Sequence, residues 1–172
     1  MKLFALALGS LLVAISPAQA AGSKDMEASM QQMQEAQAKM MQAMMIEKQS
    51  KMSFNDTVDA LKKAAEARGW KVTGVLDAQE AMKKAGHKEA RPMKVVGMCH
   101  PGLAEAVLKA QQQAKQPPAL TCRYSVFESP DGKTYVMRFN TSLMAEGAKG
   151  DVATALANLA REEDALMTAV LK

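Results

Sequence analysis

From Met44 onward the chain changes hydrophobic period repeatedly, and each change is marked by a cap or a breaker. That texture confines it to short strands and helices around a common core. Met44 to Met52 reads as a first strand. Asn55 or Asp56 then caps a helix whose apolar positions Val58, Leu61, Ala64 and Ala65 share one face, and Gly69 ends it. Trp70 to Leu76 reads as a second strand. Asp77, with Glu80 three residues on, forms a capping box for a short helix that stops at Gly86. Met93 to Met98 is an apolar run with the texture of a buried strand, and Cys99-His100-Pro101-Gly102 turns the chain into a helix from Leu103 to about Lys115. Pro117-Pro118 terminates that helix. Leu120 to Glu128 and Lys133 to Asn140 form a hairpin through Ser129-Pro130-Asp131-Gly132. Alternation places Cys122, Tyr124 and Val126 on one face with Tyr135, Met137 and Phe139, and leaves Thr121, Arg123 and Arg138 on the other. A last helix follows Asp151, with Val152, Leu156, Leu159, Leu166 and Val170 as its buried stripe. The order predicts an α+β fold: a two-layer α/β domain with a small mixed sheet, a C-terminal hairpin and a C-terminal helix. A chain of 172 residues is enough for one such core.

Ahead of that domain lie two segments of different character. Residues 1–20 read as a secretion signal: Lys2 is a minimal basic start, Leu3 to Ile15 an unbroken run of apolar and small residues, and Ser16-Pro17 with Ala18-Gln19-Ala20 a breaker and cleavage site. The run is too short to span a bilayer, so no membrane anchor is expected once it is cleaved. The expected location is periplasmic or secreted, an oxidising compartment. Loss of Lys2 leaves 21 basic against 18 acidic side chains, too mild a balance to suggest nucleic acid as a partner.

Residues 25–45 are built almost wholly from Met, Gln, Ala, Glu and Lys, and the segment 21–43 reads as a Met-rich helix or as partly disordered. Met26, Met30, Met33, Gln37, Met40 and Met44 recur at steps of 4, 3, 4, 3 and 4, the seam of a two-stranded coil. Two readings compete for this stripe. The thioethers pack on another helix or another copy of the chain, giving a homo-oligomer such as a dimer. Alternatively sulfurs on one face, Met26, Met30 and Met33 or Met40, Met41 and Met44, hold Cu(I).

The domain resembles a bacterial family, domain of unknown function 302, and in particular its secreted members with paired cysteines. The resemblance is carried by Met45-Ile46-Glu47-Lys48-Gln49-Ser50, Ser53-Phe54 with Thr57-Val58, and Gly69-Trp70-Lys71-Val72. It continues through Arg91-Pro92-Met93-Lys94-Val95 into Cys99-His100-Pro101, then Cys122-Arg123 with Val126, Asp131-Gly132-Lys133-Thr134-Tyr135, and Asn140 with Ser142-Leu143-Met144. It covers residues 44–172 and implies a compact, self-associating α+β domain without a named activity.

Two cysteines and two histidines leave a small cast for chemistry. Cys99 stands where a strand hands over to a helix, beside His100; amides at a helix N-terminus and an imidazolium both favour the thiolate. Cys122 is its one thiol partner. In an oxidising compartment two cysteines usually pair. If the Met93 and Leu120 strands were parallel neighbours, the sulfurs would lie several residues apart and out of reach; antiparallel placement, or a bent entry after Pro118, brings them together. Three readings stay open: a Cys99–Cys122 disulfide, a thiol or soft-metal site at Cys99 and His100 with Cys122 or Met144, and two inert buried thiols. Copper is the metal the ligand set suits best, and haem on Cys99 or His100 rests on single residues. There is no C-x-x-C, phosphate loop or dinucleotide fingerprint, and no catalytic constellation, so a non-enzymatic binding module is expected. A disulfide-stabilised structural or oligomerising domain without ligand is the alternative, and thiol redox or sulfur carriage a weaker one. Glu162-Glu163-Asp164 reads as a solvated face.

Overall fold

The computed structural model describes residues 17–171, and the chain divides between Met40 and Met41 into two units. The leader expected at residues 1–20 lies outside the described residues up to Ser16. Its last four residues begin helix α1, Pro17–Ala43, about 40 Å long at 1.5 Å per residue. Every side chain from Asp25 to Ala43 is exposed. No helix among the described residues is long and apolar enough to cross a membrane.

The second unit runs β1 (Met45–Gln49), α2 (Phe54–Ala67), β2 (Lys71–Asp77), α3 (Ala78–Lys84), β3 (Met93–Cys99), α4 (Pro101–Gln113), β4 (Arg123–Glu128), β5 (Thr134–Phe139), α5 (Thr141–Gly147) and α6 (Gly150–Met167). Its architecture is α+β. The five strands form one sheet in the order β1-β5-β4-β3-β2, with the first strand at one edge and the second at the other. All four pairings are antiparallel, which corrects the expected mixed sheet. The reason lies between β3 and β4. Helix α4 leads the chain about 20 Å away from the end of β3. The nine residues from Ala114 to Cys122, kept extended by Pro117-Pro118, are long enough to bring it back to the same end. A crossover that returned from only one side would have given a parallel pair.

Local chemistry sets the element ends. Ser53, rather than Asn55 or Asp56, caps α2: its hydroxyl oxygen accepts from the Asp56 N–H at 3.4 Å and donates to the Asp56 carboxylate at 2.6 Å. Gly69, at φ +79°, closes α2 with the Trp70 N–H bonded back to the Ala65 carbonyl, a C-terminal wrap that needs a left-handed residue. Asp77 caps α3 by accepting from the Glu80 N–H, as its spacing predicts. Asn140 caps α5, its side-chain oxygen accepting from the Leu143 N–H at 3.1 Å.

The core fills the face of the sheet that the helices cover. Val58, Leu61 and Ala65 of α2, Val96 and Met98 of β3, Tyr124 and Val126 of β4, Val136 of β5 and the α6 stripe Val152, Leu156, Leu159 and Leu166 are buried together with Val170. The opposite face carries Met93, Val95, Phe127, Tyr135, Met137 and Phe139, half-buried, with the Phe127 and Tyr135 rings stacked at 5.8 Å. This corrects the hairpin faces. Tyr124 pairs with Arg138 and Val126 with Val136, so Thr134, Val136 and Arg138 point into the core, and Tyr135, Met137 and Phe139 point away from it. The turn holds five residues between Glu128 and Thr134, and a register moved by one residue turns every side chain of a strand over.

Candidate functional site

The residues singled out in the sequence fall in three places. Cys99, the last residue of β3, and Cys122, just ahead of β4, are joined in a disulfide with their Cα atoms 5.1 Å apart. The Met98 N–H donates to the Cys122 carbonyl at 3.0 Å, so the antiparallel ladder sets Cys122 across from Met98 and diagonal to Cys99, within disulfide reach. Both sulfurs are spent in that bond. His100 is spent as well: its Nδ1 accepts the Leu103 N–H at 3.3 Å and caps α4, which requires the proton on Nε2, and its ring meets Trp70 edge-on at 5.9 Å. Cys99 and His100 are thus adjacent, but their polar atoms are already engaged in the disulfide and the cap.

Met144 does not join them. It lies on α5 and lines a crease with Gln111, Gln116 and Leu156, at the end of α4 remote from His100 by about 16 Å of helix. Among the described residues no three His, Cys, Asp or Glu side chains converge as metal ligands. Five of the six methionines offered for Cu(I) lie on one helix. Met26, Met30, Met33, Met40 and Met41 are on α1 and between 49% and 70% exposed, within an arc of about 100°. Met44 falls past the helix end, because its carbonyl already accepts the Asn140 N–H and the chain there has turned into β1.

The sequence reading missed the buried ion pair of the domain. Arg138, 4% exposed, donates through Nη1 to Glu163 at 2.9 Å and to the Phe139 carbonyl at 2.9 Å, and through Nη2 to Asp164. The Tyr124 hydroxyl donates to the other Glu163 oxygen at 3.0 Å. Burial pushes the Glu163 carboxyl above its ordinary 4.5, outweighing the Thr141 hydrogen bond and the Arg138 charge that favour the anion. Burial, and then the Glu163 charge, likewise hold the Tyr124 phenol well above its ordinary range. The acidic run is therefore not one solvated face: Glu162 pairs with Arg68 at 2.8 Å, Glu163 turns inward, and Asp164 takes Arg138 from the rim. The signal was present in the spacing. Leu159, Glu163 and Leu166 stand at steps of 4 and 3, which puts Glu163 in the buried stripe.

The family model for domain of unknown function DUF302 matches residues 46–172. The crystal structure of an uncharacterised conserved DUF302 protein from Bacillus stearothermophilus is similar, with a TM-score of 0.61 at 18% identity over 73% of this chain and 97% of that one. At that identity the likeness is one of fold. No curated protein matches the chain.

Proposed function

Because the chain belongs to the DUF302 family, whose membership brings a fold and no named chemistry, we propose from its own residues that it is an exported, non-enzymatic binding module that takes a soft metal, Cu(I), on helix α1. The observation that carries this is the exposure of Met26, Met30 and Met33 one turn apart on one face. Thioethers at that spacing have Cβ atoms about 6 Å apart, and flexible methionine side chains can close on one ion. Met40 and Met41 offer a second cluster. The export address is supported by the leader pattern and by a cysteine pair of the kind oxidising compartments close. The reading places no metal on Cys99, His100 and Cys122 while the disulfide is closed.

A second reading is favoured by the arc itself. An exposed apolar stripe of about 100° is also what a helix offers to a partner helix, so the same methionines can join two copies of the chain. One variant separates the two. Replacing Met26, Met30 and Met33 by Leu keeps the apolar volume and removes the sulfur. Competition with a chromogenic Cu(I) chelator, disulfide intact, should show the parent holding Cu(I) at least ~10-fold more tightly than the variant, about 1.4 kcal/mol for lost thioether ligation. Equal affinity would remove copper from α1. A concentration-dependent size that survives the Leu changes and vanishes on deletion of residues 21–43 would establish association.

A further inference from the structure

A cleft of about 500 Å³ opens in the second unit between the edge strand β1 and the end of α6, within the size range of small-ligand sites. Its walls are apolar: Ile46 on β1, Val136 on β5, and Met167 and Leu171 from the C-terminal segment. The register pairs Ile46 with Arg138 and Lys48 with Val136, so all four strand residues face the helix layer. The polar groups are unequally matched. Asp164 is engaged by Arg138, and the Thr168 hydroxyl donates to the Ala165 carbonyl at 2.8 Å. Two donors are left over. Lys48 makes no ion pair among the described residues, and the Nε–H of Arg138, a residue 96% buried, has no partner among them. A buried guanidinium edge without an acceptor is costly, and Arg138 is one of the residues that line this cleft.

We propose that the cleft binds an amphiphilic monocarboxylate, its head group on Lys48 beside Arg138 and its methylene tail against Ile46, Val136, Met167 and Leu171. One negative charge is what the charges in the cleft allow. Of the charges that line it, Arg138 and Asp164 cancel, Glu163 standing behind Arg138 and outside the lining, which leaves the single cation Lys48; a dianion such as a phosphate monoester would meet the Asp164 carboxylate with half its charge uncompensated. This site is independent of the copper reading, since it involves no residue of α1.

The test is a two-dimensional amide NMR titration of the full chain with sodium decanoate below its micelle concentration. The expected result is saturable 1:1 binding, with shifts gathered on Ile46 to Lys48, Val136 and Met167 to Leu171. Lys48→Met and the uncharged probe decanol should each weaken binding by about 10-fold, the scale of one charge-assisted hydrogen bond. Ile46→Asp, at a sheet edge where the spectrum reports whether the fold persists, should abolish it. Shifts gathered instead on Phe127 and Tyr135 of the opposite sheet face, an affinity indifferent to Lys48→Met, or decyl phosphate binding as tightly as decanoate would each overturn the proposal.

Discussion

Two cross-links hold the domain, and they work by different physics. At one end of the sheet Cys99 and Cys122 tie β3 to β4 covalently; at the same end, on the helix-covered face, Arg138 and Glu163 tie β5 to α6 by charge. The disulfide acts chiefly on the unfolded chain, by closing a loop over a separation of 23 residues, so its worth depends little on its neighbours. The ion pair acts only in the folded chain and depends wholly on them. With both partners 96% or more buried, the cost of desolvating them is large, and it is recovered only through Tyr124, the Phe139 carbonyl and Asp164 acting together. A cross-link of the first kind tolerates change around it. One of the second kind does not.

The sharpest way to break that contrast is Arg138→Met, which leaves Glu163 in the core without its cation. Chemical denaturation should show a loss of about 3–5 kcal/mol, and the double change Arg138→Met with Glu163→Leu should recover most of it. If the single change were nearly neutral, the pair would be no cross-link at all. Next in size is the double change Cys99→Ser with Cys122→Ser, expected to lower the unfolding free energy by about 3 kcal/mol in the same measurement. Smaller still is His100→Ala, which removes the acceptor for the Leu103 N–H and should cost about 1 kcal/mol, with His100→Asn restoring most of it.

The finest comparison uses pH. Because the Glu163 carboxyl is raised in the folded chain, the folded state binds a proton more tightly than the unfolded state does, and that advantage is full below about 4.5 and lost as pH rises through the raised value. Stability of the parent relative to Glu163→Gln should therefore fall as pH climbs above 4.5 in urea melts. A difference that stays flat or grows with pH would mean that Arg138 outweighs burial.

Much of the fold could be read from caps and periods. Asp77 as an N-cap, Gly69 and the α6 stripe from Val152 to Leu166 did in the structure what their spacing said, because each is a local device whose geometry involves only a few neighbouring residues, whereas the return half of the capping box did not form, since Glu80 pairs with Lys84. Strand direction was not legible in the same way. Whether Cys99 meets Cys122 depends on the length of the return segment from Ala114 to Cys122, and α5 was hidden because a seven-residue helix barely shows a period. The Arg138–Glu163 pair was missed for a related reason. Each residue is charged and so reads as exposed when taken alone; only the hairpin register and the Leu159, Glu163, Leu166 spacing, taken together, bury both. Of the residues first suspected of chemistry, the exposed methionines of α1 kept their freedom, whereas the cysteines and His100 had been committed to structure.

The sheet order carries a consequence for how the chain is made. Strand β1 is the first of the five to leave the ribosome, yet its sole neighbour is β5, and Ser50 just beyond it donates to the Val170 carbonyl 120 residues later. A chain delivered from its N-terminus must therefore hold Met45 to Gln49 open until Phe139 has arrived, and Ser50 until Val170 has, with the edge of β5 and the cleft beside it unformed meanwhile. Closure of the domain is a late, long-range event, slow by its topology and exposed to mispairing for as long as it waits.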